Sequence, residues 1–188
     1  MKRQPALLPI HIYGDRILRL KAEEVAGIDD ELKSFAADLA HTMYLRDGVG
    51  LAAPQVGVSR RVIAIDPYWA RDGNKKNPVV MVNPSITASS GESETEEGCI
   101  SLPGLYGYVT RPSQITVEYT DLEGQRVTVE LSGYAATVVQ HEFDHLEGVL
   151  FVDRVNAITK LKLKRKLKEM EKAAVDGINI RNDAVSED

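Results

Sequence analysis

GYAATVVQHEFDHLEG, running from Gly133 to Gly148, has the period of a helix that is covered on most of its sides. Val138 lies one turn before His141, and Leu146, Val149, Leu150 and Phe151 follow closely, so apolar residues surround the segment. Gly148 suits a stop. Just upstream the period is two. Ile115, Val117 and Tyr119 alternate with polar residues, as do Val127, Val129 and Leu131, with the turn DLEG (Asp121 to Gly124) between them. That is a hairpin signature. Strands and helices are segregated along the chain rather than alternating, which favours an α+β fold over a doubly wound sheet.

Further out, Asp29 to Tyr44 is helical, with Asp29 or Asp30 as cap and Leu32, Phe35, Ala36, Leu39 and Met43 on one face. GVGLAAPQVG (Gly48 to Gly57) is a loop by its glycines and proline. RVIAID (Arg61 to Asp66) and Val79 to Asn83 are short apolar runs that predict strands. Pro67 to Pro78, with Asp72-Gly73, predicts a surface turn. Thr87 to Glu97 is polar and acidic and leads into EGCISLPG (Glu97 to Gly104). From Lys160 to Lys172, seven of thirteen residues are basic, beside a narrow apolar stripe of Leu161, Leu163, Leu167 and Met170. The expectation is one domain over residues 1–188. Its core spans about 10–155, a basic helix about 156–174 and a frayed tail about 177–188. Antiparallel strands should pack around a central helix carrying HEFDH.

The bulk numbers narrow the functions. A net charge of −5 argues against a whole-surface nucleic-acid binder, and one cysteine, Cys99, can form no internal disulfide. Met1 to Ile10 lacks the apolar stretch of a signal peptide, and no run approaches the ~20 apolar residues of a membrane helix. A cytoplasmic protein with no membrane partner is expected, with monomer as the default state.

The chemistry is concentrated in His141-Glu142-Phe143-Asp144-His145. Residues four apart on a helix share a face one turn apart, so His141 and His145 can grip one divalent metal. Glu142 can then reach a water beside it and act as general base in metal-assisted hydrolysis. A solvated face is the plainer alternative. The apolar neighbours speak against it, because buried His and Glu side chains need partners. A catalytic site of this kind takes three protein ligands and leaves a position open. No histidine lies downstream of His145, Glu147 is too close along the helix, and Glu169 and Glu171 sit in the basic segment. Upstream stands Cys99, whose thiolate suits Zn²⁺ or Fe²⁺. A lone cysteine is more often a small buried hydrophobe. Here Glu97, Gly98, Ser101, Pro103 and Gly104 make the surroundings tight and polar.

Three segments in order carry a family resemblance: GVGLAAPQ (Gly48 to Gln55), EGCIS (Glu97 to Ser101) and QHEFDH (Gln140 to His145). They resemble the GxGLAAxQ, EGCLS and QHExDH motifs of peptide deformylases, over roughly Ile10 to Val155. Ile100 stands where Leu is usual and Arg16 where Pro is common; neither swap removes a chemical group. The resemblance implies a metal-dependent hydrolase that removes the N-formyl group from the initiator methionine of newly synthesised polypeptides, releasing formate. It implies that water activated on the metal attacks the formyl carbon. Glu142 would carry the proton to the leaving amine, and the Gln55 side-chain amide and Ile100 backbone N–H would hold the oxyanion. It favours Fe²⁺ natively, with Zn²⁺, Ni²⁺ or Co²⁺ also suiting one thiolate and two imidazoles.

Gly48 and Gly50 would let an extended peptide pair with the backbone. The expected substrate-binding set is Val49, Gly50, Glu97, Gly98, Tyr134 and Val138, with an ion pair between Glu97 and Arg111 bracing the Cys99 segment. The basic helix is either a solvated face or, as the family's C-terminal helix suggests, a contact with ribosomal RNA near the peptide exit. Two other readings remain: a peptidase cutting internal bonds, disfavoured by the absent downstream ligand, and an inactive relative, disfavoured by Glu142 and Gln55.

Overall fold

The computed structural model describes residues 3–71 and 75–181. In chain order the strands are β1 (Ile10–His11), β2 (Gly50–Ala52), β3 (Val62–Ile65), β4 (Val79–Ser90), β5 (Ser93–Cys99), β6 (Leu102–Arg111), β7 (Gln114–Thr120), β8 (Arg126–Ser132) and β9 (Ile180–Arg181). The helices are α1 (Asp30–Leu45), α2 (Gly133–Leu146), α3 (Phe151–Arg154) and α4 (Ala157–Ala173).

RVIAID explains the layering. Side chains alternate across a strand. In β3, Val62 and Ala64 pack with Leu39 and Met43 of α1, while Ile63 and Ile65 pack with Ala136, Val138 and Val139 of α2. Covered on both faces, β3 reads as an unbroken apolar run. It is the second strand of an antiparallel sheet ordered β2-β3-β4-β7-β8. A third cluster joins Leu102, Leu105 and Val109 of β6 to Leu150, Phe151, Val155 and Leu167. This α+β domain thus holds α2 between the sheet and the β5–β6 hairpin, as the sequence predicts for the helix carrying HEFDH. Asp29 caps α1 by accepting from the Leu32 N–H, and Asn156 caps α4 by accepting from the Thr159 N–H. Among the described residues, no helix is long and apolar enough to cross a membrane.

Gly48 to Gly57, expected to be a loop by its glycines and proline, is partly strand because β2 pairs with β3, and four further expectations need correcting. First, the strand beginning at Val79 does not end at Asn83. Asn83 adopts φ 49°, and its side chain clamps both the N–H and the carbonyl of Val25, shifting the register before β4 resumes to Ser90. Second, the polar stretch from Thr87 to Glu97 is strand on both sides of a turn at Gly91: it ends β4 and, from Ser93, opens the β5–β6 hairpin. In β6, Leu105, Val109 and Arg111 are buried while Tyr106, Tyr108 and Thr110 face out, so charge and aromatic residues lie on the unexpected sides and hide the period of two. Third, the stretch from Gly177 to Arg181, expected to be frayed, is tied to the rest of the fold. β9 pairs with β1, and the Asn179 side chain donates to the carbonyls of Tyr13 and Met170. Such pairing across the whole chain leaves no local pattern. Fourth, Leu161 is 70% exposed and outside the apolar stripe; only Leu163, Leu167 and Met170 of that set pack inward. The Asp72-Gly73 turn and residues 182–188 lie outside the described residues.

Candidate metal centre and substrate cleft

α2 presents His141 and His145 on one face, with ring centroids 5.1 Å apart. The end of β5 brings Cys99 to them. One donor atom from each of Cys99, His141 and His145 lies within 4.8 Å of the others, and Cys99 Sγ is 3.3 Å from His145 Nε2. Tetrahedral coordination at ordinary Zn–S and Zn–N lengths needs donor spacings of about 3.5 Å. The Cys99–His145 pair is near that spacing, the third donor lies within closing reach, and one thiolate with two imidazoles suits one divalent ion in chemistry. Among the described residues, the buried Glu142 Oε2, on a side chain that lines the cleft, has no hydrogen-bond partner, a costly state unless another group completes the site.

A buried ionic network orients this centre. Glu97 accepts from Arg111 Nε at 2.6 Å and Nη2 at 2.9 Å, and lies 2.8 Å from His141 Nδ1. That contact leaves His141 Nε2 for a metal. Arg111 also donates to Asp144 at 2.8 Å, and Asp144 accepts from Arg154 on its other side. The expected Glu97–Arg111 pair is present. Both Glu97 carboxylate oxygens are engaged by Arg111 and His141, and Glu97 also lines the adjoining cleft. Burial disfavours the charged Glu97 carboxylate, but the Arg111 and His141 contacts outweigh it and hold its pKa below normal. Burial also lowers the His141 pKa, yet Cys99 and Glu97 raise it well above the usual value, so a metal binding there displaces a proton. Burial, aided by the His141 charge, pushes His145 well below normal, toward the neutral imidazole a metal requires. Glu142 is pushed up to about 7, chiefly by burial.

The remaining predicted residues meet around a cleft of ≈ 550 Å³ bordered by Val49, Gly50, Gly98, Ile100, Tyr134 and Val138, with Gln55 and Glu142 also lining it. Gln55 Oε1 accepts from the Ala52 N–H at 2.8 Å, which turns its NH₂ toward Cys99 Sγ, 3.4 Å away, and Ser101 Oγ, 3.2 Å away. A Cβ on Gly50 would lie 2.4 Å from Glu142 Oε1, so only glycine leaves room for that carboxyl. A Cβ on Gly98 would lie 2.7 Å from the Tyr106 ring, which forms part of the cleft wall. Sequence reasoning missed Ser101, Asp144, Arg154 and Tyr106 as parts of the site, and also Arg181, which β9 brings to the cleft border. Asp144 had a signal, since it sits inside HEFDH. Arg154 and Arg181 had none, because their contacts depend on chain segments meeting in space.

The chain matches a protein-family model described as polypeptide deformylase over residues 7–161. It is 42% identical over 170 residues to a peptide deformylase of Pelodictyon phaeoclathratiforme, covering 90% of each chain. It is 46% identical over 149 residues to peptide deformylase 2 of Gloeobacter violaceus, covering 79% of each. Among solved structures, the Thermus thermophilus peptide deformylase superposes with TM-score 0.82 at 41% identity, over 90% of this chain and all (100%) of that one. The Synechococcus elongatus peptide deformylase, solved with actinonin, gives TM-score 0.81 at 40% identity over 95% and 94% of the two chains.

Proposed function

The chain belongs to the polypeptide deformylase family, and from that premise we propose that it is a hydrolase releasing formate from the N-terminal formylmethionine of newly synthesised polypeptides, with Glu142 carrying the proton. The observation that carries this reading is the buried Glu142 carboxyl, unpartnered at Oε2 among the described residues, beside a Cys99/His141/His145 donor cluster in a cleft.

Cys99, His141 and His145 would hold one divalent ion, natively Fe²⁺, with Zn²⁺, Ni²⁺ or Co²⁺ also suited to one thiolate and two imidazoles. When bound, that ion supplies Lewis acidity, acidifying water and polarising the formyl carbonyl. Glu142 removes a proton from the attacking water and returns it to the departing amine nitrogen. A buried carboxyl whose pKa is pushed up to about 7 suits both transfers. The Gln55 NH₂, fixed by the Ala52 N–H, and the Ile100 backbone N–H donate to the oxygen on which charge develops. Val49, Gly50 and Gly98 offer backbone to an extended peptide, and Tyr134 and Val138 flank the methionine side chain. Glu97 acts through His141. The protein works as a cytoplasmic monomer in this reading, and the exposed lysines of α4 meet the ribosome near the emerging chain.

The test is amine release from formyl-Met-Ala-Ser by anaerobically purified protein beside Glu142→Ala, with metal content measured in both. Release by wild type and a large loss in a still-metallated variant are expected. No release from metallated wild type would overturn the reading.

A further inference from the structure

The segment following β3 holds the glycine edge of the cleft from outside. Trp69 donates its indole N–H to the Gly48 carbonyl at 2.8 Å. Its ring stands edge-on to Tyr44, centroids 5.3 Å apart, and Lys76 Nζ lies 4.8 Å and 5.1 Å from the Tyr44 and Trp69 centroids. The Tyr44 hydroxyl donates to Asp66 at 2.6 Å, and the same carboxylate accepts from the Asn77 N–H at 2.8 Å. Asp66 in turn donates its N–H to the Val49 carbonyl at 2.9 Å, and the Gly48 N–H is taken by the Met43 carbonyl at 2.9 Å. The carbonyls of both Gly48 and Val49 are therefore held by one segment.

A trans peptide is planar, with its C=O and N–H pointing oppositely. Drawing the Gly48 carbonyl toward Trp69 sends the Val49 N–H the other way. Trp69 stands outside the cleft, whereas Gly48, Val49 and Gly50 border it, so that N–H faces the cleft side. A Cβ at position 48 would lie 2.6 Å from Ile100 Cδ1 and 3.2 Å from the Met43 carbonyl, so a larger residue there would push the Ile100 side chain aside. Glycine rotates more freely than any other residue, so the peptide plane needs an external clamp.

We infer that Trp69 is a positioning residue. Its indole N–H fixes the Gly48–Val49 peptide plane, so that the Val49 N–H meets a main-chain carbonyl of the bound peptide. This rests on the reading that the cleft takes an extended formyl peptide.

Trp69→Phe keeps an aromatic ring beside Tyr44 and Lys76 but deletes the donor. On formyl-Met-Ala-Ser it should lower kcat/KM about threefold to tenfold, the worth of one neutral hydrogen bond, with the loss in KM and not kcat. On N-formyl-3-methylthiopropylamine, which lacks the main-chain carbonyl, kcat/KM should match wild type. Tyr44→Phe, which frees Asp66 but leaves the Trp69 bond, should show no such split. If Trp69→Phe does not fold, benzothienylalanine at position 69 removes the N–H alone. Equal losses on both substrates, no loss on the tripeptide, or the same split from Tyr44→Phe would overturn the inference. Wild type inactive on both substrates would instead sink the hydrolase reading.

Discussion

Gly50→Ala should disable the chemistry while leaving fold and metal site intact. The three atoms nearest to a Cβ at Gly50 all belong to Glu142: Oε1 at 2.4 Å, Cγ at 2.7 Å and Cδ at 2.8 Å. An ordinary contact needs about 3.4 Å, so the Glu142 carboxyl must retreat by about 1 Å. Gly50 is absent from the left-handed glycines, so its backbone tolerates alanine, and the clash falls on the end of a side chain. A catalytic group misplaced by 1 Å costs about a hundredfold in rate. The expected result is a kcat about a hundredfold down, with melting temperature and metal content near wild type. In a Glu142→Ala background the same substitution should cost little, because the displaced group is gone. The assay is formate release from formyl-Met-Ala-Ser, with metal content and thermal melting on the same preparations. Wild-type kcat in Gly50→Ala, or a loss that persists undiminished in the Glu142→Ala background, would refute the reasoning.

Arg111→Met strips the guanidinium from Glu97 and Asp144, both buried. Breaking a buried pair costs about 3–5 kcal/mol, which should appear as a lower urea midpoint together with weaker metal retention; an unchanged midpoint and metal content would count against the network's bracing role. Asp15 links the chain ends, accepting from the Ile17 and Asn179 N–H groups and contacting His11. Burial raises its pKa, but those contacts outweigh burial and hold it below 3.8. Its stabilisation is therefore present above the unfolded value and lost as pH falls through the folded one. Denaturant midpoints taken downward from pH 5 should decline less steeply for Asp15→Asn than for wild type below about pH 4; parallel curves would refute this. Replacing the exposed Lys160, Lys164 and Lys168 by Gln should weaken ribosome co-sedimentation at low salt without altering tripeptide turnover, and unchanged co-sedimentation would remove α4 from the interaction.

The hairpin β7–β8, the helices α1, α2 and α4 and the strand β3 were legible because each buries a surface whose period is local: two along a strand, 3.6 along a helix. HEFDH was legible for the same reason, since helical geometry brings residues four apart to one face without help from the rest of the chain. The β5–β6 hairpin was not, because its buried side includes Glu97 and Arg111 while tyrosines face out. The run of β4 past Asn83 was hidden by a bulge whose cause lies at Val25, 58 positions away. The sequence thus determined by itself the central helix, the histidine pair with its glutamate, and Cys99 as the one thiol able to join them. Only the tertiary structure decided that Glu97 serves His141, that Gln55 turns its NH₂ inward, that β9 closes on β1, and that Trp69 reaches Gly48. Each of these depends on which distant segment arrives opposite a given group, and a hydrogen bond closed across the fold leaves no periodicity in the chain that makes it.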